Sequence, residues 1–152
     1  MSNFKALETY LNIRALSENN GGQVVCVLGK SESGKTKLLR AVEGFVSEAK
    51  PTLRVTYLSA GDFIRRLVDA IYQGSLPDFT AEFTRTDLLL LDDVHVIAGK
   101  KSLEHELFGL LDRLLRENKQ VVLSARSAPE ALLHLDSRLR QLLEAGLKLD
   151  LN

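Results

Sequence analysis

The sequence predicts an α/β protein built as a three-layer sandwich around a five-stranded, mainly parallel sheet. Residues 24–28 and 88–91 are continuous apolar runs, as expected of strands that are buried on both faces of a sheet. Strand-like segments also alternate along the chain with segments whose apolar residues recur at helical spacing. In such a fold, helices cover both faces of the sheet and ligands bind at the carboxyl ends of the strands.

The first half of the chain contains two predicted pairs of a strand and a helix. The helix after the first strand carries four apolar residues on one face: Leu38, Leu39, Val42 and Val46. Residues 53–58 form the second strand, and Ser59 follows as the N-cap of a second helix, with an acidic residue three positions later. This helix is expected to turn Phe63, Leu67, Val68 and Ile71 inward. Gly74 and Pro77 then break the chain.

The second half continues the alternation. Residues 88–91 form the third strand, and a stripe of leucines marks the next helix: Leu103, Leu107, Leu110, Leu111, Leu114 and Leu115. Residues 120–124 form a fourth strand, and residues 131–143 a helical stretch. Leu147, Leu149 and Leu151 alternate as a final strand, which we place at the edge of the sheet.

Composition excludes several classes of protein. The 152 residues include 20 Lys and Arg against 20 Asp and Glu, so the zero net charge argues against a polybasic nucleic-acid binder. The 45% hydrophobic content is typical of a soluble globular protein. A single cysteine, Cys26, excludes an internal disulfide and a cysteine-based metal centre. No apolar run approaches the ~20 residues of a membrane helix, and the first residues do not resemble a signal peptide. We expect one domain over residues 1–152, located in the cytoplasm.

A phosphate-binding motif follows the first predicted strand directly. Residues 29–36 read Gly-Lys-Ser-Glu-Ser-Gly-Lys-Thr, which fits the P-loop pattern G-x-x-x-x-G-K-[ST] at every fixed position. Backbone amides of such a loop wrap a polyphosphate, and Lys35 would bridge the β- and γ-phosphates while the Thr36 hydroxyl ligates Mg²⁺. The candidate nucleotide-binding residues are Gly29, Lys30, Ser31, Glu32, Ser33, Gly34, Lys35, Thr36 and Lys37.

An alternative interpretation and one unusual residue argue against nucleotide binding by this motif. The motif can also be a Gly/Ser-rich turn whose lysine is merely solvated. Glu32 stands where many P-loops have glycine, so its carboxylate lies near the expected phosphates unless the side chain points to solvent. If the Glu32 carboxylate does lie near the phosphates, nucleotide affinity falls. We therefore expect a P-loop NTPase core whose nucleotide affinity depends on Glu32.

A second acidic element supports ATP chemistry. The third strand ends in Asp92 and Asp93, at the sheet edge where the phosphate loop also lies. Asp92 would hold Mg²⁺, and Asp93 would orient or deprotonate an attacking water, so that Asp93 and Lys35 are the candidate catalytic residues. The alternative is an N-cap or a solvated acidic turn. The paired acids favour an ATPase over a small kinase.

Together these residues resemble the DnaA and Hda family of AAA+ ATPases. The resemblance covers almost the whole chain, and its fragments are the phosphate loop, residues 55–60, 87–93, 97–100, 120–124, 138–140 and 144–147. It implies the core α/β subdomain of an AAA+ module that binds ATP or ADP with Mg²⁺, assembles with like domains and acts in the initiation of DNA replication.

Departures from the family pattern affect hydrolysis. Arg126 stands where family members carry an aspartate that senses the γ-phosphate, and Leu142 stands where they place an arginine finger. Such a finger contributes about 10³ to 10⁵ in rate in related systems, so we expect hydrolysis to be weak or absent. The helical lid of the family has no counterpart before the chain ends at Asn152. The chain is therefore interpreted either as a fragment or as a reduced homologue.

Other charged and polar residues have weaker patterns. Arg65, Arg66 and Arg85 are candidates for contact with single-stranded DNA, the alternative being an ordinary solvated face, and Phe79 and Phe83 are expected to pack inward. The three histidines, His95, His105 and His134, have no metal-ligand spacing and are expected to be structural.

Three functional hypotheses remain open. The leading one is a nucleotide-binding module that regulates assembly, as a homo-oligomer or with related AAA+ proteins, with little ATPase activity. The second is a non-enzymatic interaction module that has lost its ligand, suggested by Glu32, Arg126 and Leu142. The third is an active ATPase that DNA stimulates.

Overall fold

The computed structural model describes residues 23–30, 34–126 and 135–151. The strands of this part are β1 (Gln23–Leu28), β2 (Val55–Ser59), β3 (Leu88–Asp92), β4 (Gln120–Ala125) and β5 (Leu147–Asp150). Its α-helices are α1 (Lys35–Ala49), α2 (Ala60–Tyr72), α3 (Leu76–Thr84), α4 (Lys101–Arg116) and α5 (Ser137–Glu144), and a 3₁₀ helix spans Val94–Ile97.

The five strands form one sheet in the order β2-β3-β4-β1-β5, and every pairing is parallel. The predicted α/β fold is confirmed, and β5 lies at the edge as the alternating leucines indicate. Residues 24–28 of β1 and all residues of the central strands β3 and β4 are buried, because each strand has neighbours on both sides and helices on its faces. All five strands therefore end at the same edge of the sheet.

The alternation of side chains along the strands divides the core in two. On one face, strand residues Val25, Val27, Leu88, Leu90 and Val122 pack against Leu38, Leu39, Val42 and Val46 of α1, the four residues predicted to face inward. On the other face, strand residues pack against α2, α3, α4 and α5 in the larger cluster, which includes Phe63, Phe83, Leu107, Leu111 and Leu139. The helix α1, which follows the phosphate loop, is therefore packed against the centre of the sheet.

The region after β2 differs in part from the sequence expectation. The second strand starts at Val55 rather than at Leu53, which is half-buried in the turn before it. Ser59 caps α2 as predicted, since its Oγ accepts a hydrogen bond from the amide of Asp62 at 3.1 Å. The prediction that Ile71 faces inward is wrong, because its side chain is 50% exposed on the last turn of α2.

A helix that was not predicted follows α2. Gly74 and Pro77 do break the chain, but Pro77 lies in the first turn of α3, where a residue without an amide proton costs no hydrogen bond. Phe79 and Phe83 of α3 are buried, as expected, and pack on Phe63 with ring centroids 5.8 Å away in both pairs.

The last helix is shorter than its sequence pattern. Residues 131–134 of the predicted helical stretch lie outside the described residues, and α5 begins at Ser137. Asp136 is its N-cap, with its carboxylate accepting from the amides of Arg138 and Leu139. Throughout the described ranges, no helix has both the length and the apolar content needed to cross a membrane.

Candidate functional site

The phosphate loop starts where β1 ends, at the carboxyl edge of the sheet. The amide of Gly29 donates to the carbonyl of Ala125 at 3.2 Å, which ties the start of the loop to the end of β4. Gly34 closes the loop with φ 94°, a left-handed backbone that favours glycine, and α1 begins at the next residue. Residues 31–33 lie outside the described residues, so the expectation for Glu32 stays a prediction.

Lys35 is buried at the start of α1, with 4% of its surface exposed. Its Nζ donates to the carbonyl oxygens of Gly29 at 2.7 Å and Lys30 at 2.6 Å. The ammonium group is thereby held against the first two residues of the loop, whose carbonyls accept its hydrogen bonds. A buried cation at a helix N-terminus makes this end of α1 attractive to an anion.

Asp92 lies at the centre of a cluster of hydroxyl groups. Its Oδ2 accepts hydrogen bonds from Thr36 Oγ1 and from the Tyr57 hydroxyl, both at 2.7 Å, and its Oδ1 accepts one from Ser124 Oγ. Burial alone would raise the pKa of Asp92, but these three hydrogen bonds and the charge of Lys35 hold that pKa below its usual value. Asp92 is therefore an ionised carboxylate although it is only 2% exposed.

The adjacent carboxylate, Asp93, is placed differently. Its backbone is left-handed, with φ 60° and ψ 48°, and its amide donates to Ser124 Oγ at 2.7 Å. A left-handed conformation is uncommon outside glycine, and aspartate is one of the residues that adopt it. The chain turns here into the 3₁₀ helix, so that Asp92 is buried in the sheet while Asp93 lines an open cavity. The two acids thus have different environments.

This cavity, of about 630 Å³, lies at the carboxyl edge of the sheet. Its lining comprises residues 34–37 together with Asp93, His95, Val96 and Arg126. Lys35, Lys37 and Arg126 supply positive charge and Asp93 supplies negative charge, so the lining favours an anion. The structure brings together the predicted residues Lys35, Thr36, Lys37 and Asp93, with Asp92 behind them.

His95 and Arg126 meet at the rim of this cavity. The amide of Arg126 donates to Nδ1 of His95 at 3.2 Å. Burial lowers the pKa of His95, the charge of Arg126 lowers it further, and the carboxylate of Asp93 opposes them. His95 is therefore a neutral ring that accepts a backbone hydrogen bond.

The oxygen donors of this site suit Mg²⁺ better than a metal that prefers sulfur or nitrogen ligands. Thr36 Oγ1 and Asp92 Oδ2 are 2.7 Å apart, and both are the hard oxygen donors that Mg²⁺ takes while it keeps several waters. Within the described ranges, no group of three or more His, Cys, Asp or Glu side chains is arranged to hold a metal ion. A metal here would therefore be bound by one or two protein oxygens and by its ligand.

Sequence reasoning missed two members of the Asp92 cluster. Ser124 is the last residue of the predicted fourth strand, so its place at the carboxyl edge was a signal that could have found it. Tyr57 lies in the middle of β2 and has no such signal. Its ring is covered by the guanidinium of Arg40, 3.6 Å from the ring centroid, and its hydroxyl reaches across to Asp92.

None of the three arginines considered for DNA contact lines the cavity. Arg65 pairs with Asp62, and Arg66 pairs with Glu82 at 2.5 Å and lies over the ring of Phe83. Arg85 is exposed at the end of α3. The acidic partners neutralise much of the positive charge that this surface would offer to a phosphate backbone.

The arginines of α5 and the residue Leu142 also have defined surroundings. Leu142 is half-buried and packs against the larger core cluster. Arg140 Nε lies 3.9 Å from the Glu144 carboxylate. Arg138 contacts Nδ1 of His105 at 3.0 Å and lies over the ring of Phe108. His105 is thus a surface contact of Arg138, whereas His134 lies outside the described residues.

Comparison with known proteins identifies similar sequences. The model of the bacterial DnaA ATPase domain family matches residues 2–150. The chromosomal replication initiator protein DnaA of Ruegeria sp. (strain TM1040) is 40% identical over 119 residues, which are 78% of this chain and 25% of that protein. The DnaA of Acinetobacter baylyi is 34% identical over 138 residues, 91% of this chain and 30% of that protein. This chain thus spans about a quarter to a third of the length of these relatives.

Solved structures show the same fold. Domain III of the Thermotoga maritima replication initiation protein DnaA superposes with a TM-score of 0.85 at 29% identity, covering 95% of this chain and 61% of that one. A replication initiator DnaA bound to AMPPCP and single-stranded DNA superposes with a TM-score of 0.84 at 29% identity, covering 96% of this chain and 44% of that one.

Proposed function

This chain belongs to the bacterial DnaA ATPase domain family, and on that premise we propose that its cavity binds ATP or ADP with Mg²⁺. The bound nucleotide controls assembly with further copies or with related AAA+ proteins during the initiation of DNA replication. Hydrolysis is weak or absent. A similar protein solved with AMPPCP and single-stranded DNA supports the ligand class.

One observation carries the proposal: the hydroxyl of Thr36 and the carboxylate of Asp92 meet at 2.7 Å beside the buried ammonium of Lys35. These groups come from α1 and β3, which are distant in sequence. A solvated Gly/Ser-rich turn needs no buried lysine and no carboxylate held by three hydroxyls. A site for a metal-bound polyphosphate uses a lysine beside the phosphates and a carboxylate beside the metal.

The roles of the residues follow from their positions. The amides at the start of α1 and the Lys35 ammonium bind the phosphates, and Lys35 exchanges its loop carbonyls for phosphate oxygens. Thr36 and Asp92 would hold Mg²⁺, which when bound neutralises phosphate charge and orients the polyphosphate. Lys37 adds a further cation at the lining.

Weak hydrolysis follows from what surrounds the attacking water. Asp93 lines the cavity and can accept a proton from a water at its carboxylate. In α5, however, Leu142 packs against the core, Arg140 lies near Glu144 and Arg138 contacts His105. An arginine from a neighbouring subunit is worth about 10³ to 10⁵ in rate in related enzymes, so we expect slow turnover here.

A further part of the proposal is contact with single-stranded DNA through Arg65, Arg66 and Arg85. Two of these arginines already pair with carboxylates, so binding must open those pairs. Replacing all three by Gln should weaken binding of a single-stranded oligonucleotide and reduce the slope of log affinity against log salt by about 0.7 for each phosphate that is no longer neutralised. Unchanged affinity and slope would remove DNA contact from this surface.

Calorimetric titration with ATP and ADP, with and without Mg²⁺, tests nucleotide binding. The wild type should bind both nucleotides, and Lys35→Ala should weaken binding by about tenfold or more because the phosphates lose a charge-assisted hydrogen bond. Lys119→Ala is a matched control, since Lys119 pairs with Asp87 outside the cavity lining. No binding by the wild type at near-millimolar nucleotide would contradict the proposal.

A second candidate function is an interaction module without a ligand. The observation that favours it is Lys35, whose ammonium is already satisfied by two loop carbonyls. Thermal unfolding separates the two functions, because a ligand at 100 times its Kd stabilises the folded state by about 2.7 kcal/mol. A melting temperature that does not move with ATP or ADP would favour the interaction module.

A third candidate, an ATPase stimulated by DNA, is favoured by the exposure of Asp93 to the cavity. Release of phosphate should then rise on addition of single-stranded DNA or a related AAA+ protein. Background release under both conditions excludes this candidate.

A further inference from the structure

A small groove opens between α2, α3 and α4, on the face of the sheet opposite α1. Apolar side chains form most of its lining: Phe63, Leu67, Leu76, Phe79 and Leu110. Its volume of about 190 Å³ is below the roughly 300–1,000 Å³ of pockets that enclose a small-molecule ligand. The groove therefore suits the insertion of a side chain better than the binding of a cofactor.

The groove is open along α4 because Gly109 has no side chain. Gly109 lies in the middle of this helix and is exposed, although glycine destabilises a helix interior relative to alanine. A Cβ built there would meet nothing within 4 Å, so close packing inside the chain does not require glycine. The missing side chain leaves room for a group that enters the groove from outside.

Glu106 alone is charged among the described residues that line the groove. Its carboxylate forms no ion pair within the described ranges of the chain. Other acids on these helices do have arginine partners, for example Glu82 with Arg66 and Asp112 with Arg116. The groove therefore combines apolar walls with a carboxylate that is free to accept a hydrogen bond.

The most exposed large apolar side chain in the described part of the chain lies close to one end of the groove. Tyr72 is 86% exposed on the last turn of α2, and Ile71 beside it is 50% exposed. The amide of Ser75 donates to the carbonyl of Ala70 at 2.8 Å and closes the turn that follows. Leu76 of the groove comes directly after this turn. One surface therefore carries both a groove and a protruding aromatic side chain.

Tyr72 and the groove are chemically complementary. A tyrosine has an apolar ring with a hydroxyl donor at its tip, and the groove has apolar walls with the Glu106 acceptor. A hydrogen bond from a phenol to a carboxylate is of the strong, charge-assisted kind. In a dimer with two-fold symmetry, both subunits present the same patch, so each Tyr72 can reach the groove of the other subunit.

We propose that a second copy of this chain docks on the groove, with Tyr72 of each copy inserted into the groove of the other and its hydroxyl donating to Glu106. The groove shares no lining residue with the cavity that we assign to nucleotide. The inference thus goes beyond the proposed function, because this pairing needs no nucleotide. Its contacts are fewer than those of a standard interface of about 1,600 Å², so dilute protein is expected to be monomeric.

Sedimentation velocity without nucleotide, from about 1 µM to about 500 µM protein, measures the pairing. Wild type should change from monomer to dimer over this range. Tyr72→Ala removes the inserted ring and should raise the dissociation constant by about tenfold or more, because buried tyrosines are among the side chains that dominate interfaces. Gly109→Leu fills the groove and should have a similar effect.

Gly44→Leu is the matched control for Gly109→Leu. Gly44 is an exposed position of α1 where a Cβ likewise meets nothing within 4 Å. This variant should dimerise like wild type. Circular dichroism of all variants should match wild type, since every replaced side chain is exposed.

A mixture of the two variants gives a sharper test. Tyr72→Ala keeps an open groove and Gly109→Leu keeps the tyrosine, so one of the two contacts can form between them and none within either variant. The mixture should therefore associate more tightly than either variant alone. Glu106→Gln, which keeps an acceptor without the charge, should weaken wild-type pairing less than Tyr72→Ala does.

Three outcomes overturn the inference. Wild type that stays monomeric at the highest concentration leaves the groove to a different partner. A dimer that neither Tyr72→Ala nor Gly109→Leu weakens uses another surface. A mixture no tighter than the separate variants excludes insertion of Tyr72 into the groove. Nucleotide titration is an independent result, because its failure would end the proposed function and leave the pairing unchanged.

Discussion

The hydroxyl of Tyr57 and the carboxylate of Asp92 are joined by a 2.7 Å hydrogen bond between two neighbouring strands. Burial raises the pKa of Tyr57, and the hydrogen bond to Asp92 raises it further, so the phenol keeps its proton and donates. Asp92 Oδ2 accepts from Thr36 at the same time. Tyr57 therefore helps to orient the carboxylate that we assign to magnesium.

Replacing Tyr57 by Phe removes one donor from a buried, ionised carboxylate. A hydrogen bond to a charged group contributes about 1.5–3 kcal/mol, so the free energy of unfolding should fall by an amount of this order. Urea denaturation measures it. Tyr72→Phe is the matched control, because Tyr72 is 86% exposed and should show no change. Equal stability of the two variants would mean that the Tyr57 contact does not stabilise the fold.

The pH dependence of stability should report on Asp92. Its pKa is lower in the folded state than in the unfolded chain, so the ionised form stabilises the fold above the unfolded pKa. That contribution is lost as pH falls through the folded pKa, from about pH 5 downward. Urea denaturation at a series of pH values should show a shallower acid decline in Asp92→Asn than in wild type.

The control for this experiment is Asp78→Asn, which removes an exposed carboxylate in the first turn of α3. The free energy of unfolding of this variant is followed over the same pH series, so that the effect of losing an exposed carboxylate is compared with that of losing the buried Asp92. Asp87 and Asp136 also have lowered pKa values and retain their share of the decline in both proteins. Parallel curves for wild type and Asp92→Asn would contradict the assignment.

Asp93 should matter for turnover and not for binding of ADP. Asp93→Asn keeps the left-handed backbone accessible while removing the proton acceptor that lines the cavity. General-base catalysis contributes a factor of about 10²–10⁴ in rate. The rate of phosphate release in a single turnover should therefore fall by a factor of about 10² or more. ADP affinity should stay within about twofold. Turnover that survives the change would place the proton acceptor elsewhere.

Gly146, between α5 and β5, is required because its backbone lies close to that of β1. A Cβ built there would lie 2.5 Å from the carbonyl oxygen of Val24, which belongs to the backbone of β1 and cannot move aside. Gly146→Ala should lower the free energy of unfolding by about 1–3 kcal/mol. Gly44→Ala, at an exposed position of α1 where a Cβ meets nothing within 4 Å, should instead raise it by about 0.5–1 kcal/mol. The denaturant midpoint should therefore fall in Gly146→Ala and rise in Gly44→Ala.

Local patterns in the sequence were sufficient for much of the fold. Continuous apolar runs predicted the buried strands, and the spacing of leucines predicted α4, because side-chain periodicity reflects burial directly. Ser59 was recognised as a cap from its chemistry alone. The pattern failed at α3, where a proline that fits the first helical turn resembled a break, and at Ile71, whose side chain is exposed on the last turn of α2.

The sequence by itself determined where the phosphate-loop motif and the acid pair lie, because each is a run of consecutive residues that can be recognised without its contacts. Only the tertiary structure decided what surrounds them. Tyr57, Ser124 and Thr36 reach Asp92 from 35, 32 and 56 residues away in sequence, and Arg126 reaches the cavity through the pairing of β4 with β1. Parallel strands bring such residues together because their carboxyl ends share one edge, and register, which no local pattern encodes, sets which side chains meet.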